Sequence, residues 1–168
     1  MSHIETYLND HLAGSTVAIE LLEHLESSHD GEWKGFFRML RADIDSDRRM
    51  LETLMKEMDI DQSKLRRGMA WLGEKFTDLK MRLDDPADGD LRLFESLEAL
   101  SLGIEGKRSL WLALAEAATG NPNLRRLDYQ HLIARADEQR ARVEKRRLEI
   151  ATRALAAPQN GGQITGSA

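Results

Sequence analysis

The chain contains no cysteine, so disulfides, thiolate metal sites and cysteine nucleophiles are excluded. Proline occurs three times in 168 residues and aromatic residues make up 5 %. Such a palette is poor in turn formers and in the residues that favour strands. Nowhere do about 18 apolar residues follow one another, so no segment reads as a membrane span. The N-terminal stretch MSHIETYLNDHLAG has no basic region leading into an apolar run, so no signal peptide is read and a cytoplasmic location is expected. No phosphate-binding glycine loop, nucleotide fingerprint or Ser/His/Asp constellation is present.

What remains is rich in Leu, Ala, Glu, Arg and Met, the composition of long helices. A chain of this length is expected to form one domain, over residues 1–157, followed by a disordered tail at 158–168. The net charge of −5 conceals an asymmetry. Residues 1–62 carry 14 acids against 6 bases, and residues 122–157 carry 9 bases against 5 acids. Opposite ends of this kind attract one another within a bundle or between subunits, and give no reason to invoke nucleic acid.

Apolar spacing predicts a first helix from about Ile4 to Ser28, closed by Ser27-Ser28-His29-Asp30-Gly31, and a second from about Glu32 to Met58. The second carries Phe37, Leu40, Ile44, Leu51, Leu54 and Met58 on one seam, interrupted by Asp47. Leu65, Met69, Leu72, Phe76, Leu79 and Leu83 step by four and three, and predict an amphipathic helix over about 63–83. Two further long helices are predicted, from about Leu91 to Ala118 and from about Leu124 to Leu155.

Short turns join the first helix to the second and the third to the fourth, so each pair is expected to be antiparallel. The 32 residues from 59 to 90 are long enough to carry the chain back along the bundle. The expected order is therefore up-down-down-up, with the helix at 63–83 in the crossover. Two short-turn pairs joined by a helical crossover resemble the ferritin-like superfamily over about residues 4–155. That resemblance implies an all-α four-helix bundle, and in many members two metals held by carboxylates and a pair of Glu-x-x-His motifs. The chain departs from that ligand set. Glu26-Ser27-Ser28-His29 has the letters but lies at a helix end, Asp128-Tyr129-Gln130-His131 has Asp for Glu, and the second helix has no histidine.

Aligning the expected helices by their midpoints places Asp47 level with Gly14 on the first helix, position 106 on the third and position 138 on the fourth. Gly14, Gly103 and Gly106 all fall mid-helix, where each costs about 1 kcal/mol relative to Ala. Close backbone approach, a distortion or room for bulky groups would each account for them. Asp47 and Glu105 are the expected interior carboxylates, with His11 and His131 near them and Glu98 and Glu138 within reach.

Three readings of this cluster follow. In one, Lys107, Arg108 or a histidine neutralises the carboxylates and the network only fixes helix pairing. In another, Asp47, Glu105, His11 and His131 bind a divalent Fe, Mn or Zn ion, since mixed oxygen and nitrogen ligands suit those metals. The third is a small-ligand pocket. The leading expectation is a ferritin-like bundle without a standard di-iron centre, acting as a structural or protein-interaction module and forming a homodimer. Trp71, off the seam of its helix, is the expected subunit contact. The basic run Arg140–Arg147 is interleaved with acids and reads as a solvated face, with no nucleic-acid partner expected.

Overall fold

A computed structural model describes residues 2–61 and 89–156. Among them are four α-helices and no strand: α1 (His3–Ser28), α2 (Gly31–Glu57), α3 (Gly89–Ala117) and α4 (Tyr129–Ala154). The expected helix at 63–83, Trp71 and the tail at 158–168 lie outside the described residues. None of the four helices is long and apolar enough to cross a membrane.

Local chemistry accounts for the helix ends. Ser2 and Glu5 form a reciprocal capping box at the start of α1, which satisfies two otherwise orphaned N–H groups. Only His29 and Asp30 separate α1 from α2, and Gly31 takes the left-handed backbone, φ +59°, that this abrupt reversal requires. α2 ends at Met58 and Asp59, and the Ile60 N–H donates back to the Met55 carbonyl at 2.9 Å. After α3, the Arg125 guanidinium donates to the carbonyls of Ala118 (2.8 Å) and Thr119 (2.7 Å), groups a helix end leaves without partners. A 3₁₀ turn at Pro122–Leu124 follows, and the Tyr129 hydroxyl donates to the Leu124 carbonyl at 2.6 Å. The last helix thus begins at Tyr129 rather than near Leu124, because proline, the 3₁₀ turn and the Asp128 cap come first.

Two apolar clusters record how the helices run. One gathers Leu22 and Leu25 of α1, Phe37 and Leu40 of α2, Leu93 and Leu97 of α3, and Val143 and Ile150 of α4. The other gathers Leu8 and Leu12 of α1, Leu54 and Met55 of α2, Trp111 and Leu114 of α3, and Leu132 of α4. The end of α1 thus meets the starts of α2 and α3 and the end of α4. α1 and α4 run one way, α2 and α3 the other. Asp61 sits beside α1's first turns, where its carbonyl accepts from Asn9 Nδ2 at 3.2 Å, whereas Gly89 starts α3 at the opposite end. α1 packs closely on α2 and α3 on α4, while α1 meets α3 more loosely. Between the two apolar clusters lies the polar middle of the bundle.

Candidate functional site: a polar centre beside an apolar cavity

Asp47 is 2 % exposed on the inner face of α2. Burying a carboxylate demands compensation. Lys107 Nζ of α3 lies 2.6 Å from Asp47 Oδ2, and Gln139 Nε2 of α4 donates to the same oxygen at 2.9 Å. Lys107 also donates to Gln139 Oε1, closing a triangle across three helices. Arg135 Nη2 stands 3.3 Å from Asp47 Oδ1 and reaches the Asp43 carbonyl at 3.4 Å. Arg142 pairs with the Asp43 carboxylate at 2.5 Å. Burial pushes the Lys107 ammonium below its usual pKa, and the Asp47 carboxylate opposes that shift.

The expected register is close. Asp47 was expected level with positions 106 and 138, and it meets Lys107 and Gln139. One residue along a helix is about 100° of rotation. That rotation decides which neighbour faces inward: Glu138 is exposed and Gln139 buried.

The four expected metal ligands are not brought together. Glu105 lies at the surface, 3.7 Å from Arg108 and 3.6 Å from Arg140. His131 is exposed on the first turn of α4, and its backbone N–H donates to Asp128 Oδ1 at 3.0 Å. The Asp128-to-His131 spacing is therefore that of a helix cap and its N3 residue. His11 is half-buried, in edge contact with Tyr7 at 4.7 Å between ring centroids, and burial holds its imidazole below the ordinary value of 6.5. Glu26 pairs with Arg38 and Arg41, while His29 Nδ1 donates to the Leu25 carbonyl, so that pair has separate partners too. Among the described residues, no group of three or more His, Asp or Glu side chains is placed to hold a metal ion. Arg108, the other candidate partner for an interior carboxylate, instead pairs outside with Asp137 at 2.6 Å.

His11 and Asp47 do share one environment. A cavity of about 280 Å³ lies between α1, α2 and α3, lined by both residues, by Lys107 and Trp111, and by apolar side chains of all three helices. Its wall is built from small residues: Gly14, Ser15 and Ala18 on α1, Ala99 and Gly103 on α3. Among the described residues, a Cβ placed on Gly14, Gly103 or Gly106 would meet nothing within 4 Å. Of the three purposes open to these glycines, close backbone approach is thereby removed, and at Gly14 and Gly103 the space belongs to the cavity. A small-ligand pocket was one of the three readings of this cluster; the residues that complete its wall, such as Ser15, Ala18 and Ala99, carry no signal that marks them in the sequence.

No family model, curated protein or solved structure matches the chain. The functional reading therefore rests on the site.

The basic run of α4 is partly exposed, and four of its arginines also pair with acids. Arg140 lies by Glu105, Arg142 by Asp43, Arg146 by Glu149 and Glu32, and Arg147 by Glu144 and Glu98. Two of these pairs, Arg142 with Asp43 and Arg146 with Glu32, join the acidic N-terminal segment to the basic C-terminal one, the attraction expected from the charge asymmetry; the others stay within α3 and α4.

Proposed function

We propose that this chain is a non-catalytic, ferritin-like helical bundle without a di-iron centre, serving as a binding module through the cavity between α1, α2 and α3. One observation carries the reading: one oxygen of the buried carboxylate is held by Lys107 and Gln139, while an apolar space of about 280 Å³ stands open beside it. The ammonium at 2.6 Å from Asp47 supplies the positive charge that a metal would bring. The polar triangle then serves as a structural ion-pair network that selects helix partners, since it brings Asp47, Lys107 and Gln139 together only in one pairing of α2, α3 and α4. That α1 and α4 run one way and α2 and α3 the other supports the up-down-down-up order proposed here.

The cavity's size falls near the lower end of small-molecule sites, about 300–1,000 Å³. Mid-helix glycines that no neighbour requires support a space kept open at a cost in helix stability.

A neutral apolar probe tests the binding reading. 1-Octanol is expected to bind one to one in calorimetry and to raise the unfolding temperature as any ligand of the native state does. Absence of both effects overturns it. The alternative, a metal-binding bundle, draws support from His11 and Asp47 lining the same cavity. Elemental analysis of protein purified without added metal tests that alternative. Stoichiometric Fe, Mn or Zn that disappears in Asp47→Ala would establish it in place of the ion-pair network.

A further inference from the structure

We infer that the ligand class of this cavity is a small monocarboxylic acid with an apolar body; the inference rests on the cavity being a binding site. Three features of the wall and floor agree. The first is size and polarity. An engineered cavity of about 150 Å³ accepts benzene, with its six heavy atoms. On that scale about 280 Å³ holds roughly 10–12 heavy atoms. Val17, Leu21, Ile44 and Leu51 line it and suit a hydrocarbon body.

The second is charge. Beside the cavity one carboxylate, Asp47, is paired with one ammonium, Lys107, at 2.6 Å. Arg48, also on the cavity wall, is matched by Glu52 at 2.9 Å and leaves the balance unchanged. Arg135, its side chain a quarter exposed, stands 3.3 Å from the other Asp47 oxygen and adds positive charge behind that pair. The surroundings of Lys107 therefore favour an anion over a cation.

The third is donors. An ammonium has three N–H groups. Those of Lys107 donate to Asp47 and Gln139, which leaves one for a ligand. Trp111 is 1 % exposed, lines the same cavity, and its indole N–H has no acceptor among the described residues. Buried donors without acceptors are rare in folded proteins. A carboxylate is acceptor-only, with two oxygens, and serves both donors at once. The acid head belongs at Lys107 and Trp111, and the body extends along the small-residue wall toward Gly14 and Gly103.

The test uses three probes with one tail, octanoate, 1-octanol and octylamine, titrated into the full chain at pH 7.5 and followed by calorimetry and tryptophan fluorescence. Octanoate is expected to bind one to one and at least tenfold more tightly than 1-octanol, with octylamine the weakest. Gly103→Leu, which fills the wall where a Cβ meets nothing within 4 Å, is expected to abolish binding of all three. Lys107→Met is expected to bring octanoate and 1-octanol within threefold of each other. If that variant does not fold, the ranking of the three probes on the wild-type chain decides alone. Equal affinities for octanoate and 1-octanol overturn the acid class and leave the cavity as a binding site. Binding that survives Gly103→Leu, or no binding of any probe, overturns both.

Discussion

Replacing Lys107 by Met separates a structural ion pair from an ornamental one. The substitution keeps the length and the apolar stem of the side chain and removes only the ammonium. Asp47, 2 % exposed, then loses its 2.6 Å partner and keeps Gln139 at 2.9 Å and Arg135 at 3.3 Å. Breaking a buried pair by removing one partner costs about 3–5 kcal/mol. Arg135 remains close to the other carboxylate oxygen, so the lower end applies, about 3 kcal/mol. Asp47→Asn is expected to cost about 2 kcal/mol, because the buried ammonium then lacks its anion but keeps amide acceptors. With both changes, neither partner is left charged and alone, and the cost is expected to fall short of the sum of the singles by about 1.5 kcal/mol or more. Urea unfolding of the four proteins by far-UV circular dichroism, with the urea dependence checked for constancy, measures the cycle. Additive costs, or a Lys107→Met cost below about 0.5 kcal/mol, would refute the claim that this pair holds three helices in register.

Gly14→Ala and Gly103→Ala are each expected to stabilise the fold by about 0.5–1 kcal/mol, since the helix gains and the added Cβ meets nothing within 4 Å; lower stability in urea would mean that the glycines are needed for backbone approach. Burial depresses the His11 pKa below 6.5, so the unfolded chain binds its proton first. His11 therefore contributes stability that is present above pH 6.5 and is lost as the pH falls through its lower folded value. Between pH 7.5 and pH 5.5, wild type should lose more stability than His11→Gln; parallel pH profiles would contradict this. Arg108→Ala should change stability by less than about 1 kcal/mol, because its pairs with Asp137 and Glu105 are at the surface. A loss of several kcal/mol in thermal or urea unfolding would show that Arg108 supports the interior after all.

Much of the helical framework could be read from the chain. The apolar period and the Ser27-to-Gly31 turn placed four helices to within about five residues, because these signals act over three or four residues and need no partner. Asp47 stood out for the same reason: a charge on an apolar seam is visible without knowing the neighbouring helices. The charge asymmetry likewise anticipated that acids of the N-terminal segment, Glu32, Asp43 and Asp47 on α2, would meet arginines of a basic α4.

Partners were another matter. Lys107, Arg108 and Glu105 stand within one turn of α3, and nothing local distinguishes which faces Asp47. Rotation of α3 against α2 turns Lys107 inward, leaves Glu105 and Arg108 outside, and makes an ion pair where a metal ligand set had also been possible. The glycines show the same division. Their cost to a helix is a property of the chain; that their space joins a cavity rather than a tight helix contact is decided by how far α1 stands from α3. Local periodicity determined that this protein is built from long helices, one of them with a carboxylate, Asp47, on its apolar seam. Only packing, which sets each helix's rotation and separation, decided that the carboxylate meets an ammonium and an amide beside an open apolar space.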